Sequence, residues 1–153
     1  MNQTNSKSLL YSRISVVLFM IVLAAADAGG WWLVDWFISI TRYRFAAGIP
    51  VQILFMASLY LCSVPAWVVL VLLGRLLHKI GGGQIFVAEN VSALRGISWC
   101  CFAAAVICLV SAVYYLPFLL AAAAAAFMAL IVRIVKNCFE EATGMKNELD
   151  YTI

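Results

Sequence analysis

Asp27 has the strongest claim to chemistry in this chain, because it stands inside a stretch of apolar residues long enough to cross a lipid bilayer. An ionised acid at the centre of a membrane helix costs about 3 kcal/mol unless it is paired or wet. Two readings follow. Asp27 is an ion or proton site paired with Arg42 or Arg44, or it sits at the outer headgroup level where water solvates it. Gly29, Gly30 and the neighbouring Trp31, Trp32 and Trp36 favour the interfacial position, since amphipathic aromatic rings collect at membrane surfaces. Asp35 belongs to the same interface.

The remaining reactive side chains form no constellation. His78 is the only histidine, and acid–base catalysis needs a positioned partner. Cys62, Cys100, Cys101, Cys108 and Cys138 make no CxxC pair. All but one fall in or beside apolar runs, as small packing residues do. No cysteine lies near His78 in the sequence, so a zinc-type site has no ligand set. Gly81-Gly82-Gly83 is followed by no Gly-Lys-Ser/Thr and preceded by no strand pattern, which excludes a phosphate loop. No cofactor, no metal and no enzymatic activity are expected.

The elements that must position these residues are helices in a membrane. The chain has 153 residues, 66% hydrophobic and only 11% charged, against about 25% charged in ordinary soluble domains. A bilayer core about 30 Å thick takes roughly 20 apolar residues per helix. Apolar runs over about residues 11–32, 51–73, 96–116 and 118–135 meet that requirement. The expected fold is all-α: an integral membrane bundle of four transmembrane helices in a single membrane domain, 1–153. A hinge loop over 74–95 and a tail over 137–153 complete it. Lys7 and Arg13, followed by Ile14 to Leu23 and Ala24-Ala25-Ala26, resemble a cleavable signal peptide. Apolar character resumes directly after Asp27, however, so an uncleaved first span is favoured.

Local signals refine the spans. Pro50 suits a helix start, and Pro65 should loosen the second helix near Leu61. The three consecutive glycines mark a turn. Glu89 or Asn90 then suits a helix N-terminus, and Val91, Leu94 and Ile97 recur at helical spacing. Pro117 breaks the chain between the third and fourth spans, which should form an antiparallel hairpin. Ala121 to Ala126 let helices approach closely, either inside the bundle or in a homo-oligomer.

The basic residues set the orientation. Lys7, Arg13, Arg75, Lys79, Arg95, Arg133, Lys136 and Lys146 would share one side, and Arg42 and Arg44 the other. Cytoplasmic loops carry the Lys/Arg excess, so both termini and the glycine turn are expected in the cytoplasm. The net charge of +3 is no footprint for direct nucleic-acid binding. The lipid bilayer is the first expected partner. A docking motif for a second is formed by Gly83, Phe86, Glu89, Asn90, Leu94 and Arg95, together with Asp150 and Thr152. It reads equally as an interfacial helix lying on the membrane.

These residues carry a resemblance. Gly83, Ile85, Phe86, then Glu89-Asn90-Val91, Leu94-Arg95 and Ile97, with Glu148, Asp150, Thr152 and Ile153 at the end, resemble the YoaS-like bacterial membrane proteins. Those are small four-span proteins of no assigned activity. Tyr151 departs from the family's usual leucine. The resemblance implies a membrane partner for a small cytoplasmic helix-turn-helix DNA-binding protein, and implies no catalytic residue. The alternative is a small transporter or an immunity or resistance protein. It would have a polar cavity approached by Asp27, Gln52, Ser58 or Ser63.

Overall fold

The computed structural model describes residues 3–41, 45, 46, 49–83 and 87–151, with side chains over 9–40, 50–83, 87–146, 148 and 149. Apart from one short strand pair the described chain is helical. Helix α1 spans Gln3–Ala28 and α2 Gly30–Thr41. A two-residue pair, β1 (Phe45–Ala46) and β2 (Ile49–Pro50), is antiparallel, with Phe45 opposite Pro50. Then follow α3 (Val51–Gly81), α4 (Ala88–Ser111) and α5 (Phe118–Tyr151). Among the described residues, four helical segments are long and apolar enough to cross a membrane: Leu9–Ala28, Val51–Gly81, Ala88–Ser111 and Phe118–Lys146. Large apolar side chains such as Ile21, Val64, Leu109 and Leu120 lie exposed along them. Such surface is unstable in water and matches the hydrocarbon of a bilayer. The chain is a multi-pass membrane protein of four long helices.

The helices run further than the apolar patterns alone suggest. The segment 74–95, expected as a loop, is mostly helix. Leu76, Leu77 and Ile80 carry α3 past Gly74 to Gly81, and α4 is under way by Glu89. Among the described residues, the break between α3 and α4 holds Gly82, Gly83 and Val87. Gly82 donates its N–H to the carbonyls of His78 and Lys79, and Gly83 takes φ = +80°, which only glycine adopts without strain. At the other end α4 stops at Ser111, short of the expected 116, and a turn through Tyr115 leads over Pro117 into α5. Helix α3 passes through Pro65 without ending. Residues 137–151, expected as a tail, continue α5.

Helices α1 and α2 run on into one another through Gly29. Gly29 donates to the carbonyl of Ala25 and Leu33 donates to that of Gly29, both at 2.9 Å, so α-helical bonding crosses the joint. Packing then follows the order α1 on α3, α3 on α4, and α4 on α5, the last being the most extensive pair. Small residues make that pair close: Ala105, Ala122 and Ala129 are buried, and Ser98 Oγ donates to the Ala129 carbonyl at 3.1 Å.

An aromatic core fixes one end. Phe55 on α3 lies 5.3 Å from Phe37 on α2, 5.3 Å from Tyr114 and 5.6 Å from Phe118, measured between ring centroids. Val34 and Val51 are buried in the same cluster. The Tyr114 hydroxyl donates to the Leu54 carbonyl at 3.2 Å. The α4–α5 turn is thereby locked onto the start of α3.

Candidate functional site

Two regions bring polar groups together. In the first, α1 carries Asp27 to the level of Trp67, near the middle of α3. The Trp67 indole N–H donates to Asp27 Oδ2 at 2.9 Å, and the Tyr60 hydroxyl donates to the Asp27 backbone carbonyl at 3.2 Å. Oδ1 is fully enclosed and has no hydrogen-bond partner among the described residues. The sequence reading favoured an acid bathed by water at the headgroups. Here the acid accepts a hydrogen bond from an indole on the neighbouring long helix. Arg42 and Arg44, the partners considered for it, lie outside the described residues.

Asp27 lines a cavity of about 340 Å³ to which all five helices contribute. Leu23 and Ala26 flank it on α1, Val34 on α2, and Phe118 closes it from α5. Ser58, Cys62, Ser63 and Ala66 line the α3 side, and Cys108 the α4 side. Ser58 donates its hydroxyl to the Phe55 carbonyl at 2.9 Å, and Ser63 to that of Tyr60 at 3.0 Å. Both hydroxyl protons are therefore spent on their own helix, a common arrangement for serines within membrane helices. The Cys62 and Cys108 sulfurs approach to 4.0 Å across α3 and α4. Of the polar residues expected at such a cavity, Asp27, Ser58 and Ser63 line it, whereas Gln52 does not.

Trp67 and Tyr60 escaped the sequence reading. A signal was present. Tryptophan favours membrane interfaces, so one in the middle of a spanning pattern calls for a polar partner at its own depth.

The second region is the end of the molecule where α3 gives way to α4. Arg13 on α1 donates to His78 Nδ1 at 3.5 Å. Lys79 pairs with Glu89 across the glycine turn. Lys136 pairs with Glu140 at 2.7 Å, and Arg95 reaches the same carboxylate at 3.7 Å. Basic residues from α1, α3, α4 and α5 thus meet at one end. A cavity of about 670 Å³ lies beside them, lined by Arg75, His78, Lys79, Glu89 and Asn90 among others.

The expected docking motif divides here by exposure. Asn90 is 1% exposed and Leu94 7%, so both are packing residues of α4. Glu89 and Arg95 are exposed. Gly83 forms the turn. Phe86 and Thr152 lie outside the described residues, and Asp150 is described in its helical backbone only.

No curated protein and no solved structure matches the chain. A family model does, over nearly its entire length. The chain belongs to the family described as "Protein of unknown function (DUF2975)", whose model matches residues 5–153.

Proposed function

We propose that this is a non-enzymatic bacterial inner-membrane protein of the YoaS-like kind. Its charged end faces the cytoplasm and docks a small helix-turn-helix DNA-binding protein. The observation that carries the reading is the length of α5. Its 34 residues make a rod about 51 Å long, and a bilayer core accounts for about 30 Å of it. Beyond Val135 the helix presents Glu140, Glu141, Lys146 and Glu148 at its surface. A charged helical extension of this kind is a stiff handle for a soluble partner. The Lys/Arg excess at the same end supports a cytoplasmic position for it and for both termini. Asn90 and Leu94 are buried, while Glu89, Arg95 and the α5 charges Glu140, Glu141, Lys146 and Glu148 lie exposed.

The test is co-purification of the full-length protein from native membranes with a helix-turn-helix protein. Paired Glu141→Lys and Glu148→Lys reversals should reduce recovery of the partner without reducing the amount of membrane protein. Unchanged recovery after those reversals would overturn the reading.

A further inference from the structure

Where α4 meets α5 at Ser98 and Ala129, the two helices leave an open groove of about 400 Å³. Its α4 wall is one helical stripe of Arg95, Trp99 and Phe102, since residues three and four apart share a face. Its α5 wall repeats the pattern with Ala126, Leu130 and Arg133, and Lys136 follows one turn on. Ser98 meets Ala129 and Arg95 meets Glu140, so the helices are antiparallel. Both stripes therefore run from hydrocarbon to positive charge in the same direction. The stripe from Phe102 to Arg95 is about 10 Å long, within the depth of about 15 Å that one leaflet gives to hydrocarbon. Trp99 and Phe102, an edge-on pair with ring centroids 6.1 Å apart, are exposed along it. Among the described residues that line the groove, none is acidic. Arg95 and Arg133 are exposed, and Arg133 has no ion-pair partner among the described residues. Glu140, 2.7 Å from Lys136 and 3.7 Å from Arg95, offsets one of the three charges from outside the lining. A cationic excess remains beside hydrocarbon, where a charge is costly unless paired or hydrated.

We propose that this groove binds an anionic phospholipid, its phosphodiester among Arg95, Arg133 and Lys136 and one acyl chain along Trp99, Phe102 and Leu130. A guanidinium donates two parallel bonds to phosphate oxygens, and basic pockets between membrane helices suit such headgroups. The apolar half of the groove gives the chain surroundings much like the bilayer, so the headgroup contacts decide the selectivity. A second copy of this chain is the poorer occupant, because a two-fold contact would set two cationic grooves against each other. The lipid site stands apart from partner docking, since it is read with purified protein and no partner present.

The test is native mass spectrometry of the full-length, delipidated protein in a neutral detergent. It is titrated with dioleoyl phosphatidylglycerol or dioleoyl phosphatidylcholine, which differ only in the headgroup. The first phosphatidylglycerol should bind at least about tenfold more tightly, since each basic residue adds about fivefold toward an anionic lipid. Arg133→Gln should lower the phosphatidylglycerol affinity about fivefold and leave phosphatidylcholine unchanged. Arg75→Gln, at an exposed arginine of α3 outside the groove, should change neither. Equal affinity for the two lipids, a full preference in Arg133→Gln, or an equal loss in Arg75→Gln would each overturn the proposal. Chain-free glycerophosphoglycerol binding as tightly as the lipid would overturn it in favour of a soluble anion. A dimer that forms in place of lipid binding would overturn it in favour of a second copy. The two wild-type titrations can overturn the proposal without either variant.

Discussion

Trp67 on α3 donates its indole N–H to Oδ2 of Asp27 on α1, at 2.9 Å. This bond joins the end of the first membrane helix to the middle of the second. Removing the donor with Trp67→Phe should cost about 1 kcal/mol, with about 1.7 as the upper end. Hydrogen bonds to charged groups in water-soluble proteins reach about 1.5–3 kcal/mol. The membrane value is the better guide, because a chain unfolded within a membrane finds other partners. Unfolding of purified protein by denaturing detergent measures the loss, and an unchanged midpoint would show that the bond contributes nothing.

Leu94 and Glu89 sit close together in α4 and should respond in opposite ways. Leu94 is 7% exposed, so Leu94→Ala leaves a cavity and should destabilise by about 2–5 kcal/mol. The Glu89 side chain is 74% exposed although it pairs with Lys79. Glu89→Ala should therefore cost less than about 1 kcal/mol. Yield of folded protein from membranes separates the two, and equal losses would contradict the division of the motif into packing and surface residues.

At Gly96, α4 comes close to the Leu72 side chain of α3. A Cβ there would lie 2.8 Å from Leu72 Cδ1. The obstacle is the tip of a flexible side chain, so Gly96→Ala should be absorbed by a rotation of Leu72. Gly96→Val has no such escape and should cost about 1–3 kcal/mol through overpacking. Thermal stability in detergent should fall clearly for valine and little for alanine.

Cys62 and Cys108, with sulfurs 4.0 Å apart, offer a direct check of the α3–α4 register. Mild oxidation with iodine should join them, since a disulfide needs about 2.05 Å and a small side-chain shift supplies the difference. Alkylation followed by intact-mass measurement should then count two fewer labelled thiols than in untreated protein. Five labelled thiols after oxidation would place the helices in another register.

Much of this architecture was legible in the sequence. Apolar length identified four spans, and Gly83 and Pro117 marked the two breaks, because turn chemistry is local. Helix ends were less legible. Leu76, Leu77 and Ile80 continue α3, and the charged stretch after Val135 continues α5, since helical bonding does not stop where hydrocarbon does. The candidate site was least legible. Asp27 stood out by type, but its partner Trp67 is 40 positions away. Only the packing of α1 on α3 brings them together. The burial of Asn90 and Leu94, likewise, depends on how the neighbouring helices pack around α4.

The central claim is a partner on the extended end of α5, and crosslinking in native membranes tests it most directly. A photoreactive amino acid replaces Glu141 in one variant and Trp32, exposed on α2, in another. The account predicts that Glu141 captures a small helix-turn-helix DNA-binding protein, identified by mass spectrometry, and that Trp32 does not. Absence of any DNA-binding protein at Glu141, or equal capture at Trp32, would contradict it.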